Sequence, residues 1–310
     1  MNFPILNAKL EHYTTFRLGG PCRFLYECQT PEELLSIISQ LNHEQSPYIL
    51  IGGGSNLVVS DEGIDCAVIR YASSYPIIER NNTLVTVSGS TSLDALALFC
   101  VNEGLEGLSF ATGIPGTVGG AVVGNAGAWG KQVGDALDSI SVIDKNGTVK
   151  EISPQMCAFE YRHSRLKESG DIVLKVTFVL QPGDPHQLAQ ERADILKKRS
   201  EKHPNLNTHP CAGSFFRNVE PTSKAGHRQA AGWFLEEAGG KNLRVGGAQI
   251  FEKHANIIVK GQGCTAQDVY EISQEMIQLV RKKFGFDLNR EVRFVGKFKT
   301  SEKQNNQGFW

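Results

Sequence analysis

The chain has 310 residues, about twice the length of an ordinary domain, so two or three compact units with separate cores are expected. Its 32 basic and 33 acidic residues leave a net charge of −1, which excludes a general electrostatic footprint for nucleic acid or an anionic membrane surface. No apolar run reaches the ~18 residues that span a bilayer, and the N-terminus has no basic stretch followed by a long apolar one, so a cytoplasmic protein without membrane or nucleic-acid partners is expected.

Along the chain, Thr30-Pro31-Glu32-Glu33 has the form of a capping box with proline in the first turn. Leu34, Leu35, Ile37, Ile38 and Leu41 follow at helical spacing. This helix lies between extended Phe24-Leu25-Tyr26 and the apolar run 48–51, an α/β start to a first unit covering 1–70. A strand at 84–87 leads to Ser92, a helix N-cap, with Leu93, Leu96, Ala97 and Cys100 on one face and Gly104 near the end. Segments 139–144 and 148–152 flank Asn146-Gly147, a strong hairpin signal, and a strand over 172–180 follows. Segment 187–201 predicts a charged helix with Leu188, Ile195 and Leu196 turned inward. The HPNLNTHP stretch after it reads as a linker closing a second unit at 71–204. A third unit, 205–300, opens with strand-like Ser214-Phe215-Phe216 and carries helices over 229–238 and after the Thr265 cap, where Val269, Ile272, Met276 and Val280 form the apolar face. It returns to extended chain at 292–295, and residues 301–310 read as a frayed tail.

The most informative stretch is 113–130, GIPGTVGGAVVGNAGAWG, with seven glycines among eighteen residues and neither serine nor charge among them. A flexible spacer is Gly/Ser-rich and polar; this composition suits backbone amides closing around a bulky anionic ligand, or tight packing of a glycine-rich turn. A second glycine loop, Gly52-Gly53-Gly54-Ser55-Asn56, sits between two apolar strands and offers the same kind of amide nest. Neither loop has the G-x-x-x-x-G-K-[ST] or G-x-G-x-x-G spacing, so a P-loop or a simple dinucleotide fold is disfavoured and a large cofactor held mainly by backbone fits better.

Four further segments pair polar groups with small or apolar neighbours: YRHS at 161–164, AGSFFRN at 212–218, EKHAN at 252–256 and REVR at 290–293. Ser214, after a glycine and before two phenylalanines, is either a proton relay in a partly dry pocket or a strand-start serine. Arg162 offers a planar fork for a carboxylate, and Glu291 beside Val292 and Phe294 is either a buried acid with a raised pKa or an exposed strand-end acid. A Ser214–His254 hydrolase triad lacks the G-x-S-x-G elbow. The seven cysteines have no C-x-x-C pair and read as reduced thiols, and His203, His209 and Cys211 match no zinc spacing, so no metal is expected.

Taken in order, TTFRLGG at 14–20, GGGSN, GIPGTVGGAVVGNAGAWG, YRHS, GSFFRN, GGAQIFEKHAN and REVRFVG closely resemble the UDP-N-acetylenolpyruvoylglucosamine reductase (MurB) family across residues 12–297. The resemblance implies an α+β protein: two FAD-binding subdomains of the vanillyl-alcohol-oxidase type and a C-terminal α/β domain that closes over a UDP-sugar. It further implies a monomeric peptidoglycan-synthesis oxidoreductase in which NADPH reduces non-covalent FAD and the flavin N5 passes hydride to C3 of UDP-N-acetylglucosamine enolpyruvate.

By the same resemblance, the FAD contacts fall to Gly52, Gly53, Gly54, Ser55, Asn56 and Leu57, and to Thr112, Gly113, Ile114, Pro115, Gly116, Gly119, Gly120, Asn125, Ala126 and Gly127. Arg162 and Glu291 would stabilise the developing aci-carboxylate and Ser214 would protonate C2; Tyr161, Asn218, Lys253 and His254, with Arg244 assisting, would contact the UDP-sugar. The short interval after Arg162 resembles the subclass without an extra tyrosine-bearing loop. Two other readings stand beside this one: an FAD-dependent alcohol or sugar oxidase of the same fold family, and a flavin- or nucleotide-binding module without turnover.

Overall fold

The computed structural model describes residues 3–221 and 227–299; the expected tail at 301–310 lies outside the described residues. The first lobe contains β1 (Ile5–Lys9), β2 (Pro21–Cys28), α1 (Pro31–His43), β3 (Tyr48–Ile51), β4 (Leu57–Val59) and β5 (Ile64–Tyr71). Its sheet runs β1-β2-β5-β3, antiparallel at the β1 edge and parallel elsewhere. Ala67, Val68 and Ile69 of the central β5 are buried in succession, as a parallel strand covered on both faces requires. The α1 capping box forms as expected, with Glu33 N donating to Thr30 Oγ1 and the Glu33 carboxylate accepting from Thr30 N. Leu34, Ile37, Ile38 and Leu41 make its buried stripe.

The second lobe follows with β6 (Ile78–Asn81), β7 (Leu84–Ser88), α2 (Leu93–Asn102), β8 (Leu105–Glu106), α3 (Val118–Gly124), β9 (Gly127–Ala128), β10 (Lys131–Gln132), β11 (Leu137–Ile143), β12 (Val149–Ile152), α4 (Leu166–Ser169), β13 (Ile172–Val179), β14 (Gln181–Pro182) and α5 (Pro185–Lys202). Its antiparallel sheet has the order β12-β11-β13-β7-β6, and β11 and β12 form the hairpin signalled by Asn146-Gly147. One expectation fails in α5: Leu188 and Ile195 are buried, but Leu196 is 41 % exposed and turns toward the cleft described below. An apolar side chain at that spacing satisfies a cleft wall as well as a core.

The C-terminal region comprises β15 (Cys211–Ser214), α6 (Ala231–Glu237), β16 (Arg244–Val245), β17 (Ala248–Phe251), β18 (His254–Lys260), α7 (Ala266–Phe284) and β19 (Arg293–Val295). Its antiparallel sheet runs β15-β18-β17-β16 and packs on the buried face of α7, where Val269, Ile272, Met276 and Val280 lie as the periodicity predicts. The chain then returns to the first lobe. Strand β19 pairs in parallel with β4, Phe294 opposite Val58, and Phe16, Leu18 and Val58 share one core with Phe215, Phe216 and Ile257. Asp61 extends this seam by accepting from Ala266 N and Gln267 N at the start of α7.

Candidate active site

Both glycine segments face one cleft of about 940 Å³. The first is the β3–β4 turn, where Gly54 adopts φ 61° and a Cβ would fall 2.1 Å from the Tyr13 carbonyl oxygen. The second runs from Gly113 into α3. The two pack backbone to backbone: a Cβ on Gly52 would meet Thr117 Oγ1 at 2.4 Å, and one on Gly53 would meet Gly116 Cα at 3.1 Å. Ser55 Oγ donates to the Pro115 carbonyl at 3.1 Å, tying the loops together. Thr117 caps α3 by accepting from Gly120 N, and Asp94 accepts from Gly113 N at 2.7 Å while held by Arg192. Burial pushes the Asp94 carboxyl up, but the hydrogen bonds from Arg192 and Gly113 outweigh it and hold the group below the usual carboxylate range.

Gly52, Gly53, Gly54, Ser55, Asn56, Leu57, Gly113, Ile114, Pro115, Gly116, Gly119, Gly120, Ala126 and Gly127 all line the cleft. Thr112 and Asn125 do not. Thr112 is buried and accepts from Arg192, and Asn125 is the left-handed cap of α3, its amide spent on the Glu160 carbonyl and Gly134 N. The cradle of bare backbone, impassable to side chains at several points, fits a long cofactor with a phosphate-bearing middle.

Three distant segments converge on this cleft. Arg162 sits in a tight turn whose flanking Glu160 and His163 exchange two backbone hydrogen bonds; its own backbone is left-handed at φ 56°. Its Nη2 donates to the Gly127 carbonyl at 2.7 Å, and its Nε lies 3.0 Å from Glu291 Oε1. Glu291 arrives with β19: Asn56 Nδ2 donates to its carbonyl at 3.1 Å, and Arg293 N donates to the Asn56 carbonyl. Burial raises the Glu291 carboxyl above its ordinary range, against the opposing pull of Arg162, Lys167 and Arg217. Ser214 ends β15 at a bulge, where Gly213 takes φ 75° and the register against β18 slips between Cys211 and Ser214.

Behind Ser214 the buried Asn256 side chain donates to the Phe216 carbonyl at 2.8 Å and accepts from Phe216 N at 2.9 Å, replacing a ladder pair. Phe215 N donates to the Asn256 carbonyl, and Glu291 N donates to the Phe215 carbonyl, so one stretch of backbone sets the spacing of serine and acid. Arg162, Ser214 and Glu291 line the same cavity.

Tyr161 and Asn218 meet nearby, Asn218 N donating to the tyrosine oxygen at 3.3 Å, beside a polar depression lined by Glu160, His163, Arg217, Glu220 and Arg228. Arg217 Nε is buried there with no partner among the described residues. His254 does not line the large cleft but its ring lies 5.7 Å from His203, which does. Lys253 is exposed at the β17–β18 turn, and Arg244 binds Gln249 Oε1 at 2.6 Å; neither lines the cleft.

Lys167, Arg199 and Asn205, which the sequence pattern did not single out, line the cleft, as do Arg293 of the REVR segment and His203, weighed above only as a metal ligand. The stretch read as a linker supplies His203, Pro204, Asn205 and Leu206 to the wall, and its two prolines among polar residues were the available signal. Burial, then Arg199 and His254, lowers His203 to about 4, and burial lowers His254 too, so both rings are neutral near pH 7. Cys211 also lines the cleft, but burial raises its thiol pKa, which keeps the reactive thiolate scarce. Among the described residues no cluster of three His, Cys, Asp or Glu could hold a metal.

Residues 203–295 match the family model for the C-terminal domain of UDP-N-acetylenolpyruvoylglucosamine reductase, and residues 22–153 match an FAD binding domain. The UDP-N-acetylenolpyruvoylglucosamine reductase of Caldanaerobacter subterraneus subsp. tengcongensis is 34 % identical over 94 % of this chain and 93 % of its own length. The chain belongs to the UDP-N-acetylenolpyruvoylglucosamine reductase family. The Carboxydothermus hydrogenoformans reductase is 36 % identical over 94 % of both chains. The crystal structure of the reductase from Thermus caldophilus superposes with a TM-score of 0.77 at 32 % identity, covering 95 % of this chain and all of that one. The fold expected from the motifs, FAD-binding lobes followed by a C-terminal α/β region, is the fold of the family.

Proposed function

We propose that this FAD-dependent oxidoreductase reduces UDP-N-acetylglucosamine enolpyruvate to UDP-N-acetylmuramate, with Ser214, Arg162 and Glu291 acting directly on the enolpyruvyl group. The observation that carries the assignment is the convergence of these three residues, from distant segments, on the cleft that both glycine loops also line.

The 52–57 and 113–127 segments would hold FAD, which would supply the two-electron chemistry between NADPH and the substrate's methylene carbon. The protein supplies the rest. Cations outnumber acids along the cleft: among the described residues Arg162, Lys167, Arg199 and Arg293 line it with one acid, Glu291, and Arg217 acts on both Lys167 and Glu291. Such an excess binds an anionic substrate and opposes the charge that grows on its carboxylate as hydride arrives at C3. Arg162, held by its bonds to the Gly127 carbonyl and Glu291, brings the guanidinium charge to that carboxylate. In this reading Glu291, whose carboxyl burial raises above its ordinary range against the pull of Arg162, Lys167 and Arg217, acts on the same charge as a hydrogen-bond donor. Ser214 Oγ then gives its proton to C2, completing addition of hydride and proton across the double bond. Tyr161, Asn218 and His254 contact the UDP-sugar in this reading.

A cytoplasmic monomer is part of the proposal; among the described residues no helix is long and apolar enough to cross a membrane. The test is an anaerobic titration: NADPH should bleach the bound flavin, and UDP-N-acetylglucosamine enolpyruvate should restore the oxidised spectrum. Bleaching without recovery would remove the substrate assignment, whereas fast recovery in air without that substrate would favour an alcohol or sugar oxidase.

A further inference from the structure

Arg162 pays for its place in the site with an unfavourable backbone. It is the second of two residues between Glu160 and His163, and turns with positive φ at that position ordinarily take glycine or asparagine. The strain is held from several directions. Asn125 Nδ2 donates to the Glu160 carbonyl at 2.8 Å, Ser164 Oγ donates to the Val123 carbonyl at 2.7 Å, and Lys167 Nζ, from α4, donates to the carbonyl of Arg162 itself at 2.6 Å. Lys167 alone among these three donors also lines the cleft beside Arg162, Glu291 and Arg293.

We propose that Lys167 is a positioning residue for the enolpyruvyl half-reaction: its ammonium grips the Arg162 carbonyl, fixes the left-handed turn, and so aims the guanidinium at the substrate carboxylate. This rests on the substrate reading above and deepens it. The grip is charge-assisted and therefore depends on the proton Lys167 carries. Burial first, then Arg217, Arg293 and Arg162, lowers Lys167 to about 8, while Glu291 opposes the shift. As pH rises through that value the ammonium becomes a neutral amine. The hold on Arg162 weakens and the cleft loses one positive charge. The half-reaction that develops negative charge on the substrate carboxylate then slows on the alkaline side.

Both half-reactions should be followed by anaerobic stopped flow in the FAD-loaded wild type, Lys167→Met and Lys167→Arg, across a pH range that brackets about 8. Lys167→Met should slow reoxidation by the enolpyruvyl substrate roughly 10- to 100-fold and abolish its alkaline decline, with flavin reduction by NADPH and FAD affinity little changed. Lys167→Arg, which keeps a donor and a charge that does not titrate, should recover most of the rate yet also lack the decline. Calorimetry with the UDP-N-acetylmuramate product supplies a readout without turnover: its affinity should weaken with alkaline pH in the wild type and not in Lys167→Arg. Reoxidation by Lys167→Met at the wild-type rate, or with the wild-type alkaline limb, would overturn the proposal. So would equal loss in both half-reactions accompanied by loss of FAD, which would reduce Lys167 to a structural brace. Failure of the wild type itself to be reoxidised would instead retire the substrate reading, and this inference with it.

Discussion

The two parts of the cleft wall, the glycine loops and the polar group around Arg162, are built on opposite principles. The proposed cofactor cradle works by lacking side chains: a carbon added to Gly52 would fall 2.4 Å from Thr117 Oγ1, and one added to Gly53 would crowd Gly116 Cα at 3.1 Å. Its parts come from two local segments, each read from a few consecutive residues. The proposed reacting group works by accumulating side chains, with Arg162, Lys167, Ser214, Glu291 and Arg293 brought from three separate stretches to one cavity. The difference teaches where each part is vulnerable. A cradle fails by steric intrusion and loses the cofactor, whereas the charged group fails by loss of a functional atom and loses one half-reaction while keeping the flavin.

The largest expected effect separates those two failures. Ser214→Ala should slow reoxidation by the enolpyruvyl substrate by about 10²–10⁴-fold, leaving NADPH-driven bleaching intact; stopped-flow traces in which both steps fall together would refute the division. Next comes Gly54→Ala, where positive φ and the Tyr13 carbonyl at 2.1 Å leave no room for a methyl group. FAD affinity should fall roughly 100-fold by fluorescence titration, the cost of shifting a strained backbone. Retention of tight FAD binding would show that this turn is not part of the cradle.

A smaller effect tests the seam behind Ser214. Asn256 is buried and makes two hydrogen bonds to the Phe216 backbone, so Asn256→Leu strands a donor and an acceptor and should cost about 2 kcal/mol in urea unfolding. An unchanged midpoint would mean that the β15–β18 ladder positions Ser214 without it. The smallest effect concerns His203. Its folded pKa of about 4 lies below the usual histidine value, so stability is full above about pH 6.5 and is lost as pH falls toward 4. His203→Gln should flatten that acid decline by about 1 kcal/mol, measured as Tm against pH; an identical slope would show that the ring charges without penalty.

Much of the architecture was legible because it is written locally. The capping box at Thr30, the cap at Thr265, the Asn146-Gly147 turn and the apolar stripes of α1 and α7 depend on neighbours within a few residues, and each forms where the pattern places it. The readings that shifted all needed a second surface to be known. Leu196 fits a helical apolar stripe, yet the surface it meets is the cleft. The HPNLNTHP stretch has a linker's composition, and only the folded chain shows that it lines the cleft. Thr112 and Asn125 sit inside the glycine-rich motif but turn their side chains into the protein.

The sequence by itself determined the local conformations, the glycine cradle and, through the order of its motifs, the family. These follow from short-range stereochemistry: which residues tolerate positive φ, cap a helix or alternate across a strand. Only the tertiary structure decided which polar residues share a wall. The parallel pairing of β19 with β4, between segments more than two hundred residues apart, carries Glu291 to the glycine loop and to Arg162. No local rule encodes that contact, because the free energy that forms it is the burial of Phe294, Val58 and the common core around them.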